Sequence, residues 1–136
     1  MKPGVVRETY WFRALATYVE TCASVEAQDY FRSGSVKGYY SMQLTVDGTL
    51  DDTAVWTISP YTYGEQPTIY LCHDPDDPAA YVFVLDYQLD SPVTLRAGDR
   101  ITVYGQSAGE SAVSIEVSDE TVTAPRLYAA YIELIK

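Results

Sequence analysis

The sequence LRAGDRITVYGQSAG, residues 95–109, predicts a turn, a strand and a second turn in succession. Gly98 allows the positive φ of a tight turn, and Asp99 can accept a backbone N–H that holds the turn closed. Gly105 has no side chain at a point where a strand must bend sharply. The strand alternates in polarity, so we expect two residues to point inward and two outward: Ile101 and Val103 inward, Thr102 and Tyr104 outward. These residues are therefore expected to form a structural corner of a β domain.

The rest of the chain after residue 35 is also typical of strands joined by turns. Residues 39–46 alternate strictly between apolar and polar side chains, and Asp47-Gly48 then predicts either a turn or a bulge within a continuing strand. Further strands are predicted at AVWTI, TIYLC, YVFVLDY, RITVYG, AVSIEV and LYAAYIELI. Six or seven short strands at this spacing indicate a small closed barrel or a sandwich.

The first 35 residues have a helical pattern instead. Apolar side chains recur at spacings of three and four, which is one stripe of an α-helix: Trp11, Leu15, Tyr18, Cys22 and Val25. Ser24 could cap a second short helix, so the segment is either two helices or one bent helix. A strand over TYWFRALATYV remains an alternative. At 136 residues, with 47% hydrophobic residues, the chain is long enough for one domain with one core.

The corner at residues 95–109 also carries a resemblance to a known family. The pattern is formed by Leu95, Gly98, Asp99, Ile101, Thr102, Val103, Gly105 and Gly109, with the tail APRLYAAYIELI. It resembles the OB-fold domains related to the tRNA-anticodon-binding family, in particular uncharacterised versions in bacterial envelope proteins. The resemblance implies a mostly β (α+β) protein. Residues 36–136 would form an OB-like five-stranded Greek-key barrel, and residues 1–35 an N-terminal helical segment packed on it.

The distribution of charge argues against a nucleic-acid partner. The net charge is −10, and residues 38–125 contain two basic residues, Arg96 and Arg100, against fourteen acidic ones. Such a surface repels phosphate backbones. We expect a protein, peptide or glycan partner, and the sequence does not indicate an oligomeric state. No apolar run is long enough for a membrane span, and no signal peptide is visible. The chain is therefore either cytoplasmic or a trimmed domain of an exported protein.

Few residues suggest chemistry. In CHDPDD, the carboxylates of Asp74, Asp76 and Asp77 are a weak candidate cation site, but the spacing of a calcium loop is missing and a strand-to-strand turn is favoured. The single histidine has no nucleophile signature around it, and no glycine loop precedes a helix. We predict no catalytic residues and no cofactor. Cys22 and Cys72 could form a disulfide or remain two buried thiols.

The aromatic residues of the middle strands are the predicted ligand-binding residues: Trp56, Tyr61, Tyr63 and Tyr70. In OB-folds the face of the second and third strands binds oligonucleotides or oligosaccharides, and aromatic rings there could stack on a ligand. Ordinary packing of these rings is the alternative. The sequence thus favours a non-enzymatic binding module for a protein or peptide, or an accessory domain of an envelope protein. A carbohydrate-binding module and a hydrolase with unidentified acidic residues are the two alternatives.

Overall fold

The computed structural model describes residues 16–33, 36–58, 68–86 and 95–135. This part of the chain is mostly β with few helices, as the sequence predicted. In chain order the elements are α1 (residues 16–21), β1 (Ala23–Ser24), α2 (Ala27–Ser33), β2 (Gly38–Thr49), α3 (Asp52–Ile58), β3 (Thr68–Asp74), β4 (Asp77–Asp86), β5 (Arg100–Ser107), β6 (Val113–Val117), β7 (Glu120–Ala124) and β8 (Arg126–Ile135).

Six of the strands form one mixed sheet in the order β1-β2-β3-β4-β8-β5. The long strand β2 pairs antiparallel with β3 through its second half and with β5 through its first half. The order of paired strands therefore returns from β5 to β2. The β1–β2 and β4–β8 pairs are parallel. Strands β6 and β7 form a separate antiparallel hairpin.

The corner at residues 95–109 has the predicted structure. Gly98 has a φ of 93°, and the backbone N–H of Arg96 donates to Oδ2 of Asp99 at 2.8 Å, which closes the turn. Ile101 and Val103 point inward and are fully buried. Alternation of polarity along β5 thus predicted correctly which face of the strand is buried.

Two glycines mark irregularities in the strand pairing. A β-carbon added at Gly105 would lie 2.6 Å from the carbonyl oxygen of Tyr128, and the register of β5 with β8 shifts between Tyr104 and Gly105. The register of β2 with β3 shifts between Val46 and Gly48. The bulge interpretation of Asp47-Gly48 is therefore confirmed, because β2 continues through it to Thr49.

The buried apolar residues form two cores on opposite faces of the strands. The first core lies between the inner faces of β2, β3, β4, β5 and β8, and α2 adds Ala27 and Tyr30 to it. The hydroxyl of Tyr30 donates to the carbonyl oxygen of Arg126 at 2.6 Å, which fixes α2 against β8. The second core lies on the other face of β3 and β4 and is completed by α3, β6 and β7.

The prediction of a strand at AVWTI, residues 54–58, was wrong. These residues belong to α3. Asp51 begins the helix, because its Oδ1 accepts the backbone N–H of Ala54 at 2.9 Å and its carbonyl oxygen accepts that of Val55 at 3.0 Å. Val55 and Ile58, three positions apart, then face the second core together. Capping and burial outweigh the β-propensity of these residues.

The single helical stripe predicted before residue 35 is interrupted. Helix α1 ends at residue 21, Cys22 lies in a bend, and β1 follows before α2 begins at Ala27. Of the alternatives, two separate helices are what the structure contains. Trp11 and Leu15 lie outside the described residues. Cys22 is half-buried, Cys72 is fully buried, and both thiols are unpaired.

Candidate functional site

The predicted aromatic binding residues do not form an exposed strip in the described structure. Tyr70 points into the first core with 6% of its surface exposed, and burial raises the pKa of its hydroxyl. In the structure Tyr70 therefore packs in the core. Trp56 belongs to α3, but its side chain lies outside the described residues, as do Tyr61 and Tyr63 entirely.

The outer face of β3 and β4 is covered by the protein's own elements. Ile69 and Leu71 of β3 and Phe83 and Leu85 of β4 are buried there. The covering side chains come from α3 and from the β6–β7 hairpin: Val55, Ile58, Ile115, Val122 and Ala124. In its described part, this face packs against the rest of the chain and is not open to a ligand.

Arg126 links elements at the covered face of β3 and β4. Its Nη1 donates to the carbonyl oxygen of Ile58 at the end of α3 at 3.0 Å, and its Nη2 lies 2.8 Å from Oε2 of Glu110. The hydroxyl of Tyr128 donates to the same carboxylate oxygen at 2.6 Å. Arg126 therefore ties α3, β8 and the segment before β6 together.

The aspartates of CHDPDD build a turn and cap a helix. The carboxylate of Asp74 is fully buried and accepts two backbone N–H groups, from Gln28 and from Asp76, each at 2.7 Å. Asp77 accepts the N–H of Ala79 at 3.1 Å. Asp74 thus caps α2 from another strand, in the place predicted for Ser24. Within the described ranges, no group of three or more His, Cys, Asp or Glu side chains is placed to hold a metal ion.

A polar cleft opens on the outer face of β2 and β5. It has a volume of about 440 Å³ and is bounded by the segment that leads into α2, by the β3–β4 turn and by the outward side chains of both strands. The lining residues with side chains that can form hydrogen bonds or carry a charge are Ser24, Glu26, Ser41, Gln43, Asp76, Arg100, Thr102 and Tyr104. This is the candidate binding site.

The cleft suits hydrogen bonding better than covalent chemistry. Nη2 of Arg100 approaches Oε1 of Gln43 at 3.5 Å, and Glu26 and Asp76 are exposed carboxylates. The single histidine lies elsewhere, with Nδ1 of His73 at 2.9 Å from both carboxylate oxygens of Asp47. The cleft can therefore bind a polar ligand through hydroxyl, amide and charged groups.

Tyr104 lines the cleft, and its ring contacts a second tyrosine ring. The rings of Tyr104 and Tyr131 stack with their centroids 5.8 Å apart, and burial, with the nearby Glu133 carboxylate, raises the pKa of the Tyr104 hydroxyl. The ring of Tyr18 meets that of Tyr39 edge-on at 5.5 Å. Burial raises the pKa of Tyr18 to about 12. With raised pKa values, the hydroxyls of Tyr104 and Tyr18 stay protonated donors at neutral pH.

The alternation of polarity along β5 predicted that Thr102 and Tyr104 face outward. The sequence contains no signal for the side of the cleft that is formed by residues 24–27. That side exists because two residues of β1 pair with β2, and a two-residue strand has no detectable period.

Among the described helices, none is long and apolar enough to span a membrane. In comparisons with known proteins, no family model, no curated protein and no solved structure matches this chain.

Proposed function

We propose that this protein is a non-enzymatic binding module that holds a peptide, or an extended segment of a partner protein, in the cleft on β2 and β5. The observation that carries the proposal is the contrast between two outer faces. The face of β3 and β4 is packed under α3 and the β6–β7 hairpin, whereas the face of β2 and β5 is open and lined with hydrogen-bonding groups.

We also propose that the sheet is a small closed barrel with OB-like strand order. Two observations support this. The pairing runs from β2 through β3, β4, β8 and β5 back to β2, and its one parallel pair within that circuit joins β4 to β8. Amide-to-amide NOEs across β2–β5 and β4–β8 in one NMR sample test the circuit. If either set of NOEs is absent, the sheet is open and the barrel proposal is wrong.

If the OB-like order holds, β3 and β4 correspond to the strands whose outer face binds oligonucleotides or oligosaccharides in that fold. The second core occupies the described part of this face. Residues 38–125 also contain only two basic residues, too few to neutralise a nucleic-acid backbone. We therefore expect the binding surface to lie on β2 and β5 and its partner to be uncharged or cationic.

Peptide display tests this function. Peptides selected on the wild-type protein are measured against Thr102→Lys, which puts a long side chain into the cleft, and against Thr121→Lys, the same change on the exposed side of β7. We expect Thr102→Lys to abolish binding and Thr121→Lys to preserve it. Equal binding to both variants, or a selection that yields no peptide, would contradict the proposal.

A further inference from the structure

Among the described residues, the pairing of β2 has a short gap on the side of the strand that faces away from β5. Towards the start of the strand, β1 pairs with β2 as far as Ser41, whose carbonyl oxygen accepts the N–H of Val25 at 3.0 Å. Towards its end, pairing with β3 begins at Thr45, opposite His73. Gln43 lies in the gap between them, and the gap opens into the cleft.

The main-chain groups of Gln43 point into this gap. Val46 uses its N–H and its carbonyl oxygen on the β5 side, where they bond to Asp99 and Gly98 at 2.8 and 2.7 Å. Main-chain groups alternate in direction along a strand, and Ser41 already points the other way towards Val25. The N–H and the carbonyl oxygen of Gln43 therefore face away from β5, as those of Ser41 do.

The backbone pairing of β2 with β1 and β3 is interrupted at Gln43 for two reasons. Continuing the β2–β3 register from Thr45 and His73 would place Pro75 opposite Gln43, and proline has no N–H to donate. On the other side the chain leaves the strand to enter α2, where the carbonyl oxygen of Glu26 accepts the N–H of Tyr30 at 3.1 Å. Among the described residues, no backbone hydrogen bond reaches either main-chain group of Gln43 across this gap.

We propose that the gap is a β-edge receptor in which an extended peptide pairs with Gln43 and places a basic side chain beside Glu26 and Asp76. The inference rests on the proposed function and specifies its ligand. A peptide offers one N–H and one carbonyl oxygen at the spacing that a strand edge requires. The cleft volume of about 440 Å³ lies in the range of small-ligand sites, roughly 300–1,000 Å³.

The charges around the gap favour a basic side chain on the bound peptide. Glu26 belongs to the segment that enters α2, and Asp76 to the β3–β4 turn on the far side of the gap. Asp74 fixes both segments, since its carboxylate binds the N–H groups of Gln28 and Asp76. Among the described lining residues, the one cation is Arg100, and it is directed at the amide oxygen of Gln43. A lysine or arginine therefore meets two carboxylates, and an acidic side chain meets repulsion.

The test uses three pools of N-acetylated, C-amidated heptapeptides with Lys, Glu or Thr at the central position, titrated into ¹⁵N-labelled protein. We expect the Lys pool to shift the amide resonance of Gln43 and to bind at least about tenfold more tightly than the Glu pool. A fourth pool carries Lys with an N-methylated central amide. It should bind about tenfold more weakly than the Lys pool, because it cannot complete the main-chain pair.

Two double variants separate this inference from general charge effects. Glu26→Gln with Asp76→Asn should abolish the preference for Lys over Glu. Glu116→Gln with Glu120→Gln removes two exposed carboxylates from the β6–β7 hairpin and should leave the preference intact. If the Thr pool binds in the cleft as tightly as the Lys pool, the inference is overturned and the proposed function stands. If the Glu pool does so, the inference and the expected charge of the partner are overturned, and peptide binding in the cleft stands. If no pool moves a cleft resonance, both are overturned.

Discussion

Asp74 is a buried carboxylate that joins two segments far apart in the sequence. It binds Gln28 at the start of α2 and Asp76 in the β3–β4 turn, each at 2.7 Å. These segments are opposite walls of the cleft. A residue first considered as a weak metal ligand thus positions the candidate binding site, because a carboxylate has enough acceptor sites to hold both N–H groups.

Replacing Asp74 with alanine should lower the free energy of unfolding by about 2–4 kcal/mol, since two buried N–H groups would lose a charged acceptor. Asp74→Asn keeps the size and one acceptor oxygen and should lose less. Glu116→Ala, at an exposed position of β6, is the control and should change stability by less than about 0.5 kcal/mol. Urea denaturation measures all three. An unchanged midpoint for Asp74→Ala would show that the two hydrogen bonds contribute nothing.

Gly105 shows how closely β5 and β8 approach each other. Gly105→Ala would bring a β-carbon to 2.6 Å from the carbonyl oxygen of Tyr128, and backbone cannot yield as a side chain does. We expect a loss of about 2 kcal/mol or more in unfolding free energy. Gly48→Ala is the matched control, because a β-carbon there meets nothing within 4 Å. Equal thermal stability of the two variants would refute the explanation.

The two thiols should differ in reactivity. Burial raises the pKa of both Cys22 and Cys72, so both are protonated at pH 8, and only the thiolate reacts with iodoacetamide. Cys72 is fully buried, whereas Cys22 is partly exposed. In the native protein we expect slow labelling of Cys22 and none of Cys72, with rapid labelling of both in denaturant, as mass spectrometry of the peptides would show. Labelling of Cys72 first would contradict the structure.

At the scale of elements, the β6–β7 hairpin depends on a few contacts for its place over the second core. Arg126 supplies polar contacts beside it, to Glu110 in the segment that leads into β6 and to the carbonyl oxygen of Ile58 in α3. Ile115 and Val122 supply apolar ones. The hairpin pairs with no strand of the main sheet. Apart from its chain connection to β8 through Pro125, whose carbonyl oxygen accepts the N–H of Phe83 at 2.9 Å, side chains hold it.

Arg126→Gln should therefore loosen the hairpin without unfolding the sheet. We expect amide hydrogen exchange in β6 and β7 to become at least about tenfold faster, while exchange in β2 and β5 stays the same. Arg32→Gln, at an exposed position in the last turn of α2, is the control. If amide hydrogen exchange in β6 and β7 is equally slow in both variants, Arg126 does not hold the hairpin over the second core.

The elements that the sequence predicted well are those whose side chains alternate in polarity. In β5 and the first half of β2, one face is buried and the other meets solvent, so the pattern and the structure agree. AVWTI was predicted as a strand because its residues favour strands, and the capping contribution of Asp51 was not considered. The burial of Tyr70 could not be predicted in the same way, because TIYLC is apolar on both faces and contains no alternation to orient it.

For the molecule as a whole, the candidate site was harder to predict than the fold. The cleft depends on which outer face remains open, and that is decided by where α3 and the β6–β7 hairpin pack. Such packing joins residues far apart in the chain, and no local pattern of polarity encodes it. The sequence identified outward-facing residues of β5 but could not identify their neighbours across the cleft.

The overall charge leads to a prediction about nucleic acid. With a net charge of −10, the protein should not bind labelled single-stranded DNA or RNA in fluorescence anisotropy at about 50 mM salt, where electrostatic attraction would be strongest. A basic OB-fold protein that binds single strands serves as the positive control. Micromolar binding that weakens as salt is added would contradict the charge argument.

The position of β8 in the sheet has a consequence for synthesis. The strand is inserted between β4 and β5, yet the ribosome makes it after both. While a nascent chain grows, the edges of β4 and β5 that will receive β8 carry unpaired N–H and carbonyl groups, and unpaired edges promote aggregation. A chain stalled before residue 126 should thus remain sensitive to protease and bind chaperones, and release of the remaining residues should end both.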